Sequence, residues 1–429
     1  MGAYLRADGV AMKPLAGIPV PDRLVADEAN LRSAFRPDEP SSTRLIDADE
    51  TVNRLRPHFS RLGIVRMAEV TGLDRIGIPV WMAVRPNSRT LAVSQGKGVS
   101  AAHARASAVM EAAEIAIAED IPLISFAASR RELLDAGHSV FDGRMLLMRG
   151  ADEPGPDVAD YWLEGFDLLK QKPVFVPREL VSLDFTSARR SFHYCQSTDG
   201  LASGNCLLEA VIHGLCERVE RDATELWRFQ RDTGVQAHCV DPAVFADGSI
   251  DWLAERITAA NFVLRLFNMT SDIGLPVFMA TISPATQHGT YLHFDLAAGY
   301  GCHLSPRVAA MRAITEAAQT RITNISGARD DFDPSEYHQR LAPDLGVYIH
   351  AEPAGHWRFE EPELHLRASL ETYLEPLRQR GIGSVVAVPL GGEDYGMSVC
   401  RVLVNELESP AGTRKHRFGG RGLNAMLRQ

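Results

Sequence analysis

A chain of 429 residues, 45% of them hydrophobic and 23% charged, can bury a large core, and its length predicts two or three lobes. A formal net charge of −10 argues against a nucleic-acid footprint, and no run of about 18 apolar residues is available to span a membrane. Six cysteines without a C-x-x-C pair argue against a zinc site or disulfide framework and point to a reducing cytosol.

Residues 1–60 are rich in Pro, Asp and Ser; they read as a loosely packed arm without a continuous apolar signal region, ending in a short helix over Thr51–Leu62. Strand patterns follow at Ile64–Val70 and Ile78–Val84, with Gly77 and Pro79 at the turn. The stretch GIPVWMA from Gly77 to Ala83 has a near copy, GLPVFMA, from Gly274 to Ala280. Each copy precedes a helix, so the chain reads as an internal strand–loop–helix duplication. A polar segment over residues 127–160 marks an insertion or lobe boundary, and strands resume at Lys172–Pro177 and Leu180–Asp184. After the central helix, Trp252–Ala260 reads as a helix and Phe262–Asn268 and Val277–Ser283 as strands. Asp330–Tyr337 reads as a charged loop, Leu370–Arg380 as a helix, and Ser384–Pro389 and Met397–Val404 as strands. Residues 61–405 form the main domain of an α+β fold, with mixed β-sheets flanked by helices, and residues 406–429 a basic tail.

The central stretch, Asp199 to Asp222, carries the chemistry. A Gly/Ser/Asn loop runs into a helical pattern on which Glu209, His213, Glu217 and Glu220 fall within roughly 80° of one another at about 100° per residue. Like charges stacked on one face repel, and no lysine interleaves them. An acidic helix face is ordinarily solvated, but this one recurs. Ala104, Ser107, Glu111 and Glu114 repeat the spacing of Ala210, His213, Glu217 and Glu220, and Arg312, Glu316 and Gln319 supply a third polar face. All three helices are entered through glycine-containing loops, at Ser94–Gly98, Gly200–Asn205 and Gly299–His303. The carboxylates select a hard, oxygen-seeking Mg2+ over zinc. Arg221, Arg312, Arg321 and Lys97 would meet anionic oxygens, and amides at the helix starts offer further anion sites. Together these make a nucleoside triphosphate site that is not a P-loop, because SQGKGVS lacks the required spacing.

These blocks resemble the YcaO family of ATP-dependent peptide-backbone modifying enzymes. The first block presents Ser107, Glu111 and Glu114 with Ile115 where the family has Arg; the middle block matches fully with Asn205, Glu209, Glu217, Glu220 and Arg221; the third runs from Arg312 through Glu316 and Gln319 to Arg321. The resemblance implies strand–loop–helix units that converge on an acidic ATP/Mg2+ site. Glu111, Glu114, Glu209, Glu217, Glu220 and Glu316 are then expected around the metal. Lys97, Ser107, Asn205, Glu209, Arg221, Arg312, Gln319 and Arg321 are expected on the nucleotide, and Glu217, Arg221, Arg312 and Glu316 at the chemistry. It also implies a peptide or protein substrate, a homodimer, and activation of a backbone amide by O-phosphorylation. The tail lacks the terminal prolines of the azoline-forming branch, which favours the branch similar to trifolitoxin-type proteins, thioamide formation and a TfuA-like partner. The alternatives are an azoline-forming cyclodehydratase, a non-catalytic accessory protein for ribosomal-protein methylthiolation, and a metal-dependent hydrolase. His193, His213 and His303 read as packed or hydrogen-bonded histidines.

Overall fold

The computed structural model describes residues 4–5, 11–12, 19–34, 44–123, 125–186, 192–230, 232–285, 290–328, 333–410, 412 and 414–427. The expected arm instead carries regular structure where it is described: Tyr4–Leu5 pairs antiparallel with Ala11–Met12, and a helix follows. Helix α1, Val20–Ala34, buries Leu24 and Leu31, two turns apart on one face, in the same core cluster as the central helix. Its Asp27 accepts the Leu208 N–H at 3.0 Å. Helix α2 is shorter than expected, Ala48–Leu55, and tightens into a 3-10 turn over Arg56–His58 that includes Pro57.

Strands β1 (Arg66–Glu69), β2 (Val80–Val84) and β3 (Val93–Lys97) form an antiparallel sheet, followed by helix α3 (Ala101–Glu119), whose Ser100 caps the His103 N–H. The polar segment after it contains β4 (Phe126–Ser129) and α4 (Arg130–Asp135), which begins with a capping box of Ser129 and Glu132. Next come β5 (Ala159–Asp167), β6 (Lys172–Pro177), β7 (Leu201–Gly204) and the central helix α5 (Leu207–Trp227). Leu180–Asp184 is not a strand: the backbone turns 3-10 at Arg178–Leu180, and Leu180, Val181 and Leu183 bury without a ladder partner.

A four-stranded antiparallel sheet orders β8 (Cys239–Val240), β9 (Phe262–Asn268), β10 (Val277–Pro284) and β11 (Ala297–Cys302), with α6 (Gly248–Ala259) between β8 and β9 in the chain and α7 (Pro306–Ser326) after β11. Of the expected loop Asp330–Tyr337, residues 330–332 lie outside the described residues and Pro334–His338 winds into a 3-10 turn. The chain closes with α8 (Leu370–Gln379), β12 (Val386–Gly391), β13 (Ser398–Leu403) and α9 (Gly420–Leu427). The third sheet has the order β4-β5-β12-β13-β7, with β6 on β5. No helix among the described residues is long and apolar enough to cross a membrane.

The duplication is physical. Gly77 (φ +75°) and Gly274 (φ +84°) make the same left-handed turn before β2 and β10. Each of these strands pairs antiparallel with the next, Val80 opposite Lys97 and Val277 opposite Cys302. The helix that follows lies directly on the second strand of its hairpin. A Cβ at Gly96 would sit 2.0 Å from the Ala108 nitrogen, and one at Gly299 would sit 2.1 Å from that of Ala317. Glycine on the strand and alanine on the helix are therefore both required by this close approach. The central unit differs: the strand beside β7 is β13, drawn from the far end of the chain, with Gly204 opposite Ser398.

Candidate active site

The three acidic helices meet. Glu114 of α3, 9% exposed, accepts a hydrogen bond from Ser203 Oγ of β7 at 2.8 Å. Burial, and after it the charges of Glu111 and Glu217, hold the Glu114 carboxyl well above its ordinary value. Glu217 of α5 accepts the Gly200 N–H at 3.2 Å and faces Arg221 at 3.4 Å; burial pushes it up as well. One turn on, Glu220 is pushed up to about 7, by burial first and then by the charge of Glu316 on α7. Glu316 goes the other way. Burial opposes its charge, but Lys97 at 2.6 Å and Arg221 hold it below the usual value. Arg221 lies half-buried among four carboxylates, Glu217, Glu220, Asp199 and Glu316, which keep its guanidinium firmly charged.

Arg312 reaches across to α5 and donates to His213 Nε2 at 2.7 Å. Burial and the Arg312 charge keep that imidazole neutral, so its proton sits on Nδ1, which has no partner. Gln319 donates to the Gln95 carbonyl at 3.3 Å, while its own Oε1 is buried and unpartnered, as is the Arg221 Nε.

Other expected site residues are placed differently. Glu209 lies eight residues before Glu217, about 12 Å along the axis at 1.5 Å per residue. Its carboxylate takes the Leu45 N–H at 2.5 Å, the Asn205 N–H at 2.9 Å and Arg44 at 3.2 Å. It thereby ties the segment before α2 to the start of α5, and Thr51 bonds Asn205 Oδ1 at 3.0 Å beside it. Arg321 pairs with Asp74 at 2.7 Å and lies over the Phe262 ring at 4.2 Å, so it stands outside the carboxylate group. Ser107 is half-buried one turn before Glu111 on α3. Ile115, where the family pattern has Arg, is buried at 7% exposure. His193, exposed, bonds the Asp152 carbonyl, and buried His303 accepts the Ser305 N–H, as hydrogen-bonded and packed histidines do. Among the described residues no three His, Cys, Asp or Glu side chains surround one point as metal ligands; carboxylate oxygens of the group face Lys97, Arg221, Ser203 Oγ and the Gly200 N–H.

Sequence reasoning missed Ser203, Asp199, Arg401 and Gln95. Ser203 and Asp199 belong to the loop block already singled out. Arg401 carries no local signal, since only the pairing of β13 with β7 brings it near.

Residues 95–408 match the YcaO cyclodehydratase family, ATP- and Mg2+-binding. The chain belongs to the YcaO family. It is 39% identical over 393 residues to an uncharacterized protein in the tfuA 3' region of Rhizobium leguminosarum bv. trifolii, covering 89% of this chain and 93% of that one. It is 34% identical over 370 residues to an uncharacterized protein of Methanothermobacter thermautotrophicus, covering 84% and 93%. The fold matches that of YcaO from Methanopyrus kandleri bound with AMPPCP and Mg2+, at TM-score 0.66 and 24% identity over 86% of this chain and 93% of that one. It also matches a heterocyclase in complex with substrate and cofactor, at TM-score 0.72 and 18% identity; there this chain covers 94% of its own length and 58% of the other.

ATP and Mg2+ are the cofactors of the YcaO family, and the residues present fit them. Glu114, Glu217, Glu220 and Glu316 supply only oxygen donors, as a hard divalent ion requires. Burial raises the Glu114 and Glu220 carboxyls, and Arg221 Nε and Gln319 Oε1 are buried atoms without a hydrogen-bond partner.

Proposed function

We propose that this YcaO protein activates a backbone amide of a peptide by O-phosphorylation and yields a thioamide, acting with a TfuA-like partner. The observation that carries the chemistry is the convergence of Glu114, Glu217, Glu220 and Glu316 with Arg221 and Lys97 between three duplicated helices. The tfuA-region relative supports the choice of product and partner. Bound Mg2+–ATP supplies the phosphoryl group that turns the amide oxygen into a leaving group once a nucleophile has added to the carbonyl carbon.

The chain's own residues divide that work. Arg221 and Lys97 offer fixed positive charge to anionic oxygens in a site with little water. Glu217 bonds the Gly200 N–H and Arg221 together and so fixes the aim of the guanidinium. Glu220, with its carboxyl poised near 7, takes or gives up a proton near neutrality. Glu111 belongs with Glu114 as a flank of the same oxygen-rich wall. Glu209 and Asn205 at the start of α5, and Arg312 of α7 against His213, would hold the nucleotide. Arg321 acts through Asp74 to hold the turn before β2 against α7, which makes it a positioning residue.

The test is the mass of a peptide encoded beside the gene, treated with the protein, ATP, Mg2+, sulfide and the TfuA-like partner. A gain of about 16 Da, oxygen exchanged for sulfur, is expected. A loss of about 18 Da, one water, would assign the protein to azoline formation through a Cys, Ser or Thr of the substrate. No change with every component present would leave the accessory role as the reading.

A further inference from the structure

A separate cavity of about 370 Å3 opens next to the acidic cluster. Its apolar wall includes Leu146, Met148, Leu180, Phe192, Leu403 and Val404, and its polar wall holds Arg218 and Arg401. Asp199 connects the two places: it lines the cavity and lies 3.8 Å from both Arg218 and Arg221, three residues apart on α5.

The two arginines are buried with donors to spare. Arg401, 3% exposed, donates to the Ser197 carbonyl at 2.5 Å and to its hydroxyl at 3.3 Å, and its Nε has no partner. Among the described residues no carboxylate forms an ion pair with it. Arg218, 4% exposed, gives Nη2 to the carbonyls of Leu407 and Glu408, while Nη1 has no hydrogen-bond partner. A buried guanidinium without an anion is costly to keep. Burial in fact lowers the Arg401 value to about 10. Arg401, without an ion pair, beside Arg218, whose Nη1 has only Asp199 at 3.8 Å, marks a place for an anion, and the apolar wall opposite favours one attached to an apolar group. A carboxylate attached to an apolar group meets both walls, and the guanidinium fork matches carboxylate geometry.

We propose that this cavity binds the peptide substrate through a carboxylate held by Arg401 and Arg218 and an adjoining apolar side chain held by Leu146, Met148, Phe192 and Leu403. The inference rests on the peptide-modifying reading. It names the substrate class as an acidic peptide with an aliphatic or aromatic neighbour, delivered to the Asp199 side of Glu217 and Arg221. The carboxylate comes from an Asp or Glu side chain or from the peptide's own C-terminus.

Cys195 lines the cavity and is partly exposed, whereas the other five cysteines are buried. Its alkylation by N-ethylmaleimide, followed by mass spectrometry on the full chain without nucleotide, therefore reports occupancy. Acetyl-Leu-Asp-amide or acetyl-Leu-Leu carrying a free carboxylate is expected to slow the reaction, by roughly tenfold at ten times its dissociation constant. Protection by only one of these two dipeptides identifies the source of the carboxylate. Acetyl-Leu-Asn-amide, the neutral isostere, should bind at least about tenfold more weakly. Arg401→Met keeps the apolar packing and should abolish the difference between the acidic and neutral dipeptides. Equal protection by the Asn and Asp dipeptides would overturn the carboxylate site on the unaltered chain alone, whatever the variant does. So would an undiminished preference for acid in Arg401→Met, or no protection at all by either acid. Because nucleotide is absent, the outcome is independent of the Mg2+–ATP site, which calorimetry of nucleotide binding tests separately.

Discussion

Replacing Glu220 with Gln should make the nucleotide-free protein more stable at alkaline pH and make it respond less to Mg2+–ATP. The side chain is 6% exposed, and its carboxyl is raised from 4.5 to about 7. A carboxyl raised in the folded state binds more protons folded than unfolded between those two values. Its contribution to stability is therefore present below pH 4.5 and is lost as pH rises to about 7. About 2.5 pH units at about 1.4 kcal/mol each amounts to ~3 kcal/mol lost by pH 8. Gln has the same shape and cannot ionise, so the variant escapes that loss. Urea unfolding should show Glu220→Gln and the parent close together at pH 5, and the variant ahead at pH 8 by up to that amount. Saturating Mg2+–ATP should reverse the order, since the parent regains through the cation what its carboxylate loses by repulsion. A variant less stable than its parent at pH 8 without nucleotide would refute the like-charge argument. Equal stabilisation of both by Mg2+–ATP would remove Glu220 from the metal site.

Arg221→Ala takes a cation from between four carboxylates and should weaken Mg2+–ATP binding by at least roughly tenfold in calorimetry; a smaller change would mark a purely structural ion pair. Lys97→Ala removes the cation that holds Glu316 down, so the pH profile of Mg2+–ATP affinity should move to higher pH, and an unmoved profile would contradict the pairing. Gly299→Ala forces a Cβ to within 2.1 Å of the α7 backbone and should cost more than about 2 kcal/mol in urea unfolding, against about zero for alanine at the open, right-handed Gly248. Arg421→Ala strands the fully buried Asp222 carboxylate, paired at 2.8 Å, and should destabilise the fold by roughly 3–5 kcal/mol. Substrate-concentration rescue of turnover in that variant would point instead to a docking role for the basic tail.

That tail shows where sequence reading stops. Its charge is visible in the chain, but charge alone does not say what it faces. Arg421 turns inward onto Asp222 and Asp272, and Glu408 collects the N–H groups of Gly419 and Gly422. The stripe on α5 was legible because a polar face at i, i+4, i+7 spacing repeated on three helices, self-repelling on two of them, is a periodic signal that needs no tertiary knowledge. Strands β9 and β10 were legible for the same reason, being apolar runs bounded by turns. Helix α1 was missed because only Leu24 and Leu31 bury on it, too thin a stripe to stand out against Pro, Asp and Glu. Arg401 was beyond reach, since its place depends on a strand pairing across almost 200 residues of sequence. Glu209 illustrates a different limit: its type and spacing suited a metal ligand, yet backbone amides of Leu45 and Asn205 hold its oxygens.

The borrowed strand beside β7 has a consequence for how the protein is made. The two outer units close on hairpins whose strands are neighbours in sequence, so each can assemble soon after it is synthesised. The central unit cannot, because Gly204 waits for Ser398. At about 5–20 residues per second, the central helix and its strand spend on the order of 10–40 s without their sheet partner. During that interval the stretch read from sequence as a loop, which is strand β7, offers an open edge to any other chain. Only arrival of β13 completes the sheet behind the acidic cluster, so a chain cut short anywhere before β13 lacks that backing altogether rather than in part.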